Sequence, residues 1–147
     1  MTASRFAIVL SFAAGLSAAA QAAISGVFGR RIGTIQAAGF GALAGAILLL
    51  VLALALGRAG GLLSGIHQPP WLWLIGPLGA AIVIVVAYAP PLIGTFATVA
   101  LMIAGQLVAG ALIDAFGLLG SPRIPLTAFR ATGLLLVAAG AALTLKR

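Results

Sequence analysis

Charged positions in this chain are few, and long apolar runs separate them. No charged side chain falls between residues 6 and 29, between 32 and 57, or between 68 and 113. A helix of about 20 apolar residues spans the ~30 Å of bilayer hydrocarbon. The first two runs are therefore long enough to cross once each, and the third long enough to cross twice. Glycine, proline and arginine punctuate the pattern and predict five helices over residues 6–28, 34–56, 70–88, 92–116 and 125–145. Gly29-Arg30-Arg31 ends the first, and Gly57-Arg58 closes the second. A polar, glycine-containing loop over 59–68 leads to Pro69-Pro70, and proline is tolerated in a first helical turn. Pro90-Pro91 is expected to break the chain between the third and fourth helices in a tight hairpin, because proline lacks an amide donor. The alternative is a single kinked, re-entrant segment over 71–113. Gly117, Gly120 and Pro122 mark the exit of the fourth helix, and Pro125 could open the fifth. No internal repeat is visible. The expected fold is an all-α integral membrane domain occupying residues 1–147.

Composition narrows the function. Hydrophobic residues make up 63% of 147 positions, far more than a soluble domain of this length requires. The net charge of +7 comes from arginines and a lysine at the ends of apolar runs. That is where basic residues flank membrane helices, so no nucleic-acid partner is expected. Cysteine is absent, which removes disulfides, thiolate metal sites and a cysteine nucleophile. One His, one Asp and no Glu leave too few groups for hydrolytic or metal chemistry, so neither a metal nor another cofactor is expected, and the chain does not read as an enzyme. His67, beside Gln68-Pro69-Pro70, reads as a solvated loop imidazole. Trp71 and Trp73 stand where indoles favour the lipid–water interface. Arg5, an apolar stretch and Ser17-Ala18-Ala19-Ala20-Gln21-Ala22 have the layout of a cleavable secretory signal. The apolar stretch continues through Ile24, Val27 and Phe28, so the helix is expected to be retained.

Orientation follows from the loops. With five spans, Arg5, Arg58, Arg123 and Arg130 share one side, and Arg30, Arg31, Lys146 and Arg147 the other. An excess of Lys and Arg marks the cytoplasmic side, and four against four is no excess. Either the chain inserts both ways, the preferred reading, or a partner imposes its orientation. Small residues indicate where helices meet. Gly41 and Gly45 form a Gly-x-x-x-Gly pair, and Gly105 and Gly133 are similar in kind; membrane helices approach closely at such faces. Five helices surround little of a pathway, so the chain is expected to oligomerise.

Few polar groups lie within the apolar runs: Gln21, Gln36, Gln106, Thr95, Thr98, Tyr88, Asp114 and Arg130. Such groups are costly in lipid and face a bundle interior or a water-filled cavity. Gln106, mid-helix, and Gln21 each offer two donors and one acceptor; they either contact a polar substrate or bond a neighbouring helix. Gln36, nearer a helix end, reads as interfacial. Asp114 is the only carboxylate; an ion pair with Arg123 or Arg130 is favoured over binding a cation or exchanging a proton. Arg130 could snorkel to the interface or anchor an anionic group. Gln106, Gln21 and Arg130 are the expected substrate contacts, and Asp114 the coupling or gating residue.

Several of these residues carry a family resemblance. Gly105-Gln106-Leu107, Ile113-Asp114-x-Phe116-Gly117-Leu118, Pro125-Leu126-Thr127 and Arg130-x-x-Gly133 resemble the signature of the YdcZ-type family. These are small bacterial proteins of the drug/metabolite transporter (DMT) superfamily. Gln21 with Ile24, Phe40 with Gly45, and Trp71 with Trp73 extend the resemblance over nearly the whole chain. It implies a multi-pass protein of the bacterial inner membrane and a five-helix half of an inverted-repeat, DMT-like transporter. It also implies an antiparallel homodimer, or a pair with a paralogous partner. Such a protein would move a small polar metabolite or drug-like solute by alternating access around a midplane site. The chain departs from the family pattern at Ser25, at Ala115 and at Pro77, which is expected to kink the third helix. It also lacks the membrane glutamate of small multidrug exporters. The competing class is a non-transporting membrane subunit or scaffold, in which the glycine faces dock a partner and the polar residues hold helices together.

Overall fold

The computed structural model of the chain describes residues 2–145; Lys146 and Arg147, half of the basic residues assigned to one side, lie outside the described residues. The fold is all-α. Helix α1 runs Thr2–Ile32, α2 Thr34–Ala55, α3 Ala59–Ser64, α4 Ile75–Tyr88, α5 Pro90–Ile93, α6 Thr95–Phe116 and α7 Ala128–Leu143. Single 3-10 turns occupy Gly65–His67, Pro70–Leu74 and Leu118–Gly120. Among the described residues, four segments are long and apolar enough to cross a membrane: Arg5–Ile32, Thr34–Ala55, Pro70–Ile93 and Thr95–Phe116. Helix α7 is apolar but has only 16 residues, about 24 Å at 1.5 Å per residue.

The boundaries differ from the sequence reading in instructive places. The first helix extends past residue 28 through Arg30 and Arg31, because glycine at 29 packs inside it and does not end it. The loop over 59–68 is largely helical, as α3 and a 3-10 turn. Pro77 is the third residue of α4, just after the 3-10 turn Pro70–Leu74 gives way to α-helix. Pro90 and Pro91 open the short α5, and α4 ends just before them at Tyr88, as expected of a proline pair. A second break comes at Gly94, whose φ of 86° is unfavourable for a residue with a Cβ. The fifth helix begins at Ala128, after an irregular stretch over residues 121–127.

The chain divides into two compact units, Met1–Pro91 and Leu92–Arg147. In the first, α1, α2 and α4 pack against one another. Their contact surface is made of small side chains: Ala22, Ala37, Ala38 and Ala87 are buried together with Val86. Gly26 and Gly29 let α1 approach the end of α4 closely. A Cβ at Gly26 would lie 2.9 Å from the Pro90 Cβ, and one at Gly29 would lie 2.8 Å from the Ala87 carbonyl oxygen. Phe28 and Phe40 meet edge to face across the α1–α2 corner, with ring centroids 5.4 Å apart. In the second unit α6 and α7 pack together, and Ala97, Thr98 and Ala141 are buried.

The large apolar side chains point outwards. Leu49, Leu78, Phe12 and Phe129 are 68%, 64%, 71% and 93% exposed. The accessible surface is 10860 Å², where a soluble globular monomer of this mass would expose about 6,900 Å². Water would not tolerate so much uncovered hydrocarbon, whereas lipid solvates it. Small residues inside and large apolar residues outside are what helix packing in a bilayer requires, since lipid removes the hydrophobic drive to bury leucine. The chain is an integral membrane protein.

Candidate functional site

Within the second unit, the polar residues of α6 and α7 converge on one cleft. Gln106, Gly110 and Asp114 recur every four residues, which stacks them on one face of α6. Arg130, Gly133, Leu134 and Val137 line the cleft from α7, with Arg130 against Asp114. The space between α6 and α7 is a cleft of about 460 Å³, also lined by Leu107, Ala111 and Leu126. Gly110 and Gly133 help to keep it open, as a Cβ at either position would meet nothing within 4 Å.

The connection between the helices fixes the mouth of this cleft. Gly117 ends α6 in the left-handed conformation, φ 65° and ψ 37°, and its amide donates to the Ile113 carbonyl. Leu119 and Gly120 also have positive φ, and the chain folds back on the helix end. The Ile124 amide donates to the Asp114 carbonyl at 2.8 Å, and Arg123 Nε donates to the Ala115 carbonyl at 3.2 Å. Arg123 therefore caps the helix and leaves the Asp114 carboxylate to another partner. Thr127 is the N-cap of α7: its hydroxyl accepts from the Arg130 amide at 3.3 Å, which sets the first turn that carries the Arg130 side chain. Replacing Thr127 by Ala should lower stability by about 1 kcal/mol, with Thr127→Ser close to the parent; melting in detergent measures the difference.

Arg130 Nη2 donates to Asp114 Oδ2 at 2.8 Å, with the two side chains 43% and 29% exposed. Each charge sits at the unfavourable end of its own helix. Asp114 lies in the last turn of α6, where carbonyls point outwards, and Arg130 in the first turn of α7, where amides do. A helix dipole disfavours such placements by roughly 0.3–1 kcal/mol apiece, and each charge offsets the other. Neither position is one that helix stability alone selects. The contact uses one nitrogen and one oxygen; among the described residues, Asp114 Oδ1, Arg130 Nε and Nη1 and the Gln106 amide hold no protein hydrogen bond. These atoms give the cleft unspent donors and acceptors in otherwise apolar walls.

The structure thus gathers three of the four polar candidates, Gln106, Asp114 and Arg130. Gln21 lies on an exposed face of α1 in the first unit, beside buried Ala22. Gln36 folds its amide against Gly33 at the α1–α2 corner. The Thr98 hydroxyl donates to the Gly94 carbonyl at 2.8 Å and is buried. Gly41, Gly45, Gly105 and Gly133 meet nothing within 4 Å of a built Cβ; the close approaches inside the chain are at Gly26 and Gly29. The sequence reading missed Leu107, Ala111, Leu126, Leu134 and Val137 as cleft residues. The four-residue spacing from Gln106 through Gly110 to Asp114 was the available signal. Among the described residues, no group of His, Cys, Asp or Glu could hold a metal ion.

Comparison with known proteins agrees with this architecture. The family described as "Putative inner membrane exporter, YdcZ" matches residues 6–143, nearly the whole chain. No curated protein and no solved structure matches it. The motifs of the α6–α7 cleft fall within the matched span, and the chain belongs to the YdcZ family, described as inner-membrane exporters.

Proposed function

We propose that this chain is one half of a transporter that moves a small polar metabolite or drug-like solute across the bacterial inner membrane. The observation that carries the reading is the convergence of Gln106, Asp114 and Arg130 on one cleft in a chain otherwise almost without polar groups. Polar side chains in a membrane protein mark solute pathways. Gln106 lies near the middle of α6, at the depth where transporters bind their cargo. Arg130 and Gln106 contact the solute, and Gln21 is a further proposed solute contact. Asp114 gates the site by exchanging Arg130 for the solute. Helix α7 completes a fifth crossing together with the irregular residues before it. Two copies pair, in opposite orientations, and rock around the site to open it to each side in turn. Gly41 and Gly45, where an added Cβ would meet nothing within 4 Å, are the proposed contact with the second copy.

The absence of native cysteine makes the pathway directly testable. Gly110→Cys faces the cleft, whereas Leu112→Cys lies two residues on, about 200° around the helix, and is lipid-exposed. In intact cells the first should react with a membrane-impermeant maleimide and react further after permeabilisation, while the second stays unreactive. Equal reactivity at both positions, or none at Gly110→Cys, would remove the proposed pathway.

A further inference from the structure

We infer that the α6–α7 cleft selects solutes that carry an ammonium and a carboxylate side by side on an apolar body, as free amino acids do. The inference rests on the cleft being the solute's path and adds the class of solute. Among the described residues, the cleft contains one anion and one cation, Asp114 and Arg130, and no other charged group lines it. A monovalent ligand bound there would leave one charge uncompensated between apolar walls, where water screens poorly. A zwitterion leaves none.

The spare atoms have the matching chemistry. With one Nη2 hydrogen of Arg130 donated to Asp114 Oδ2 at 2.8 Å, the second Nη2 hydrogen and its in-plane neighbour on the other edge, Nη1 or Nε, remain as a planar donor fork suited to a carboxylate. Oδ1 remains on Asp114, an acceptor suited to an ammonium. Because the two side chains touch, these free edges are adjacent, and the ligand's two charges must also be adjacent. Both residues belong to helix ends whose dipoles oppose them. A zwitterion bound at both restores the same balance that the ion pair provides in its absence, so exchange between the closed pair and the bound solute leaves the charge of the cleft unchanged. Beyond the charged pair the walls are apolar: Leu107, Ala111, Leu134 and Val137, with Gly110 and Gly133 leaving room between them. A volume of about 460 Å³ is within the range of small-molecule sites. Gln106 stands two turns from Asp114, about 12 Å along the axis, and can meet a polar tip on the longer members of the class.

The test uses three probes that share one isobutyl body: leucine, isoamylamine (leucine without its carboxylate) and isocaproate (leucine without its amine). Purified Gly110→Cys protein in detergent is labelled with a maleimide in the presence of each. Leucine should slow labelling about threefold or more, as occupancy above about two-thirds requires, and the two single-charge probes should leave the rate unchanged. In the Gly110→Cys background, Asp114→Asn should transfer protection to isocaproate, and Arg130→Gln should transfer it to isoamylamine. A purely structural ion pair predicts no such exchange of preference. Protection by isoamylamine or isocaproate equal to that by leucine, or by none of the three, overturns the assigned class while a reactive Gly110→Cys leaves the pathway standing. A Gly110→Cys that does not react at all overturns both.

Discussion

Arg130→Gln, and separately Asp114→Asn, should cut solute flux in proteoliposomes roughly tenfold or more while the protein still inserts and purifies as a single species. The size follows from the contact. A hydrogen bond to a charged group contributes about 1.5–3 kcal/mol, and each factor of ten in rate corresponds to about 1.4 kcal/mol. Each single substitution also leaves the opposite charge alone in the cleft, where it either attracts the wrong solute or draws in water. Arg130→Lys keeps the charge and loses the fork, so it should retain part of the flux. The Asp114→Asn, Arg130→Gln double variant should be at least as stable as either single one, because it removes both charges together. It should transport no better. Stability restored without flux separates the role of the pair in the site from its role in holding α6 to α7. Full flux in either single variant would show that the pair is only a structural tie between the helices.

The second large effect is expected in the first unit, at a packing glycine outside the α6–α7 cleft. Gly29→Ala should destabilise the protein by about 1–3 kcal/mol, the usual cost of overpacking, and more where the helices cannot separate. Its Cβ would stand 2.8 Å from the carbonyl oxygen of Ala87. A backbone oxygen cannot rotate aside as a side chain can, so α1 and α4 must part. Gly26→Ala should act in the same direction, against Pro90. Gly41→Ala and Gly45→Ala add a methyl group where nothing lies within 4 Å. They should leave the monomer's melting unchanged or raise it slightly through better helix propensity, and should weaken the proposed dimer. Melting and size-exclusion profiles in detergent distinguish the two groups. A Gly29→Ala protein as stable as the parent would mean that α1 and α4 are not held at this distance.

How much of this was legible in the sequence depends on the kind of signal. Membrane insertion was plain, because the spacing of charges directly reports the thickness of hydrocarbon to be crossed. Helix α2 was placed to within a residue, since glycine and arginine bound it closely. Punctuation by proline located the end of α4 at Tyr88, before Pro90-Pro91, but set the next long helix at residue 92, whereas a further break at Gly94 delays α6 to Thr95. Glycine misled. Gly29 looked like a terminator and is an interior packing position, whereas Gly94, unremarked, carries the positive φ. In the cleft, the charged and amide residues were legible because each is expensive in lipid. Its apolar walls were not, because Leu107, Leu134 and Val137 look like every other lipid-facing residue until α7 is laid against α6. The choice of Arg130 over Arg123 as the partner of Asp114 also needed the structure, since it depends on the turn at Gly117 and the Thr127 cap.

The proposed transporter needs a second half: an inverted copy of this chain would complete the pathway that one copy would begin. The most direct measurement adds a single Cys after Arg147 and labels intact cells with a membrane-impermeant thiol reagent, with no native thiol to interfere. The account predicts partial labelling, with the remainder reacting only after permeabilisation, as a chain inserted in both orientations gives. Labelling that is complete, or wholly absent until permeabilisation, would fix one orientation and contradict an antiparallel pair made from this chain alone.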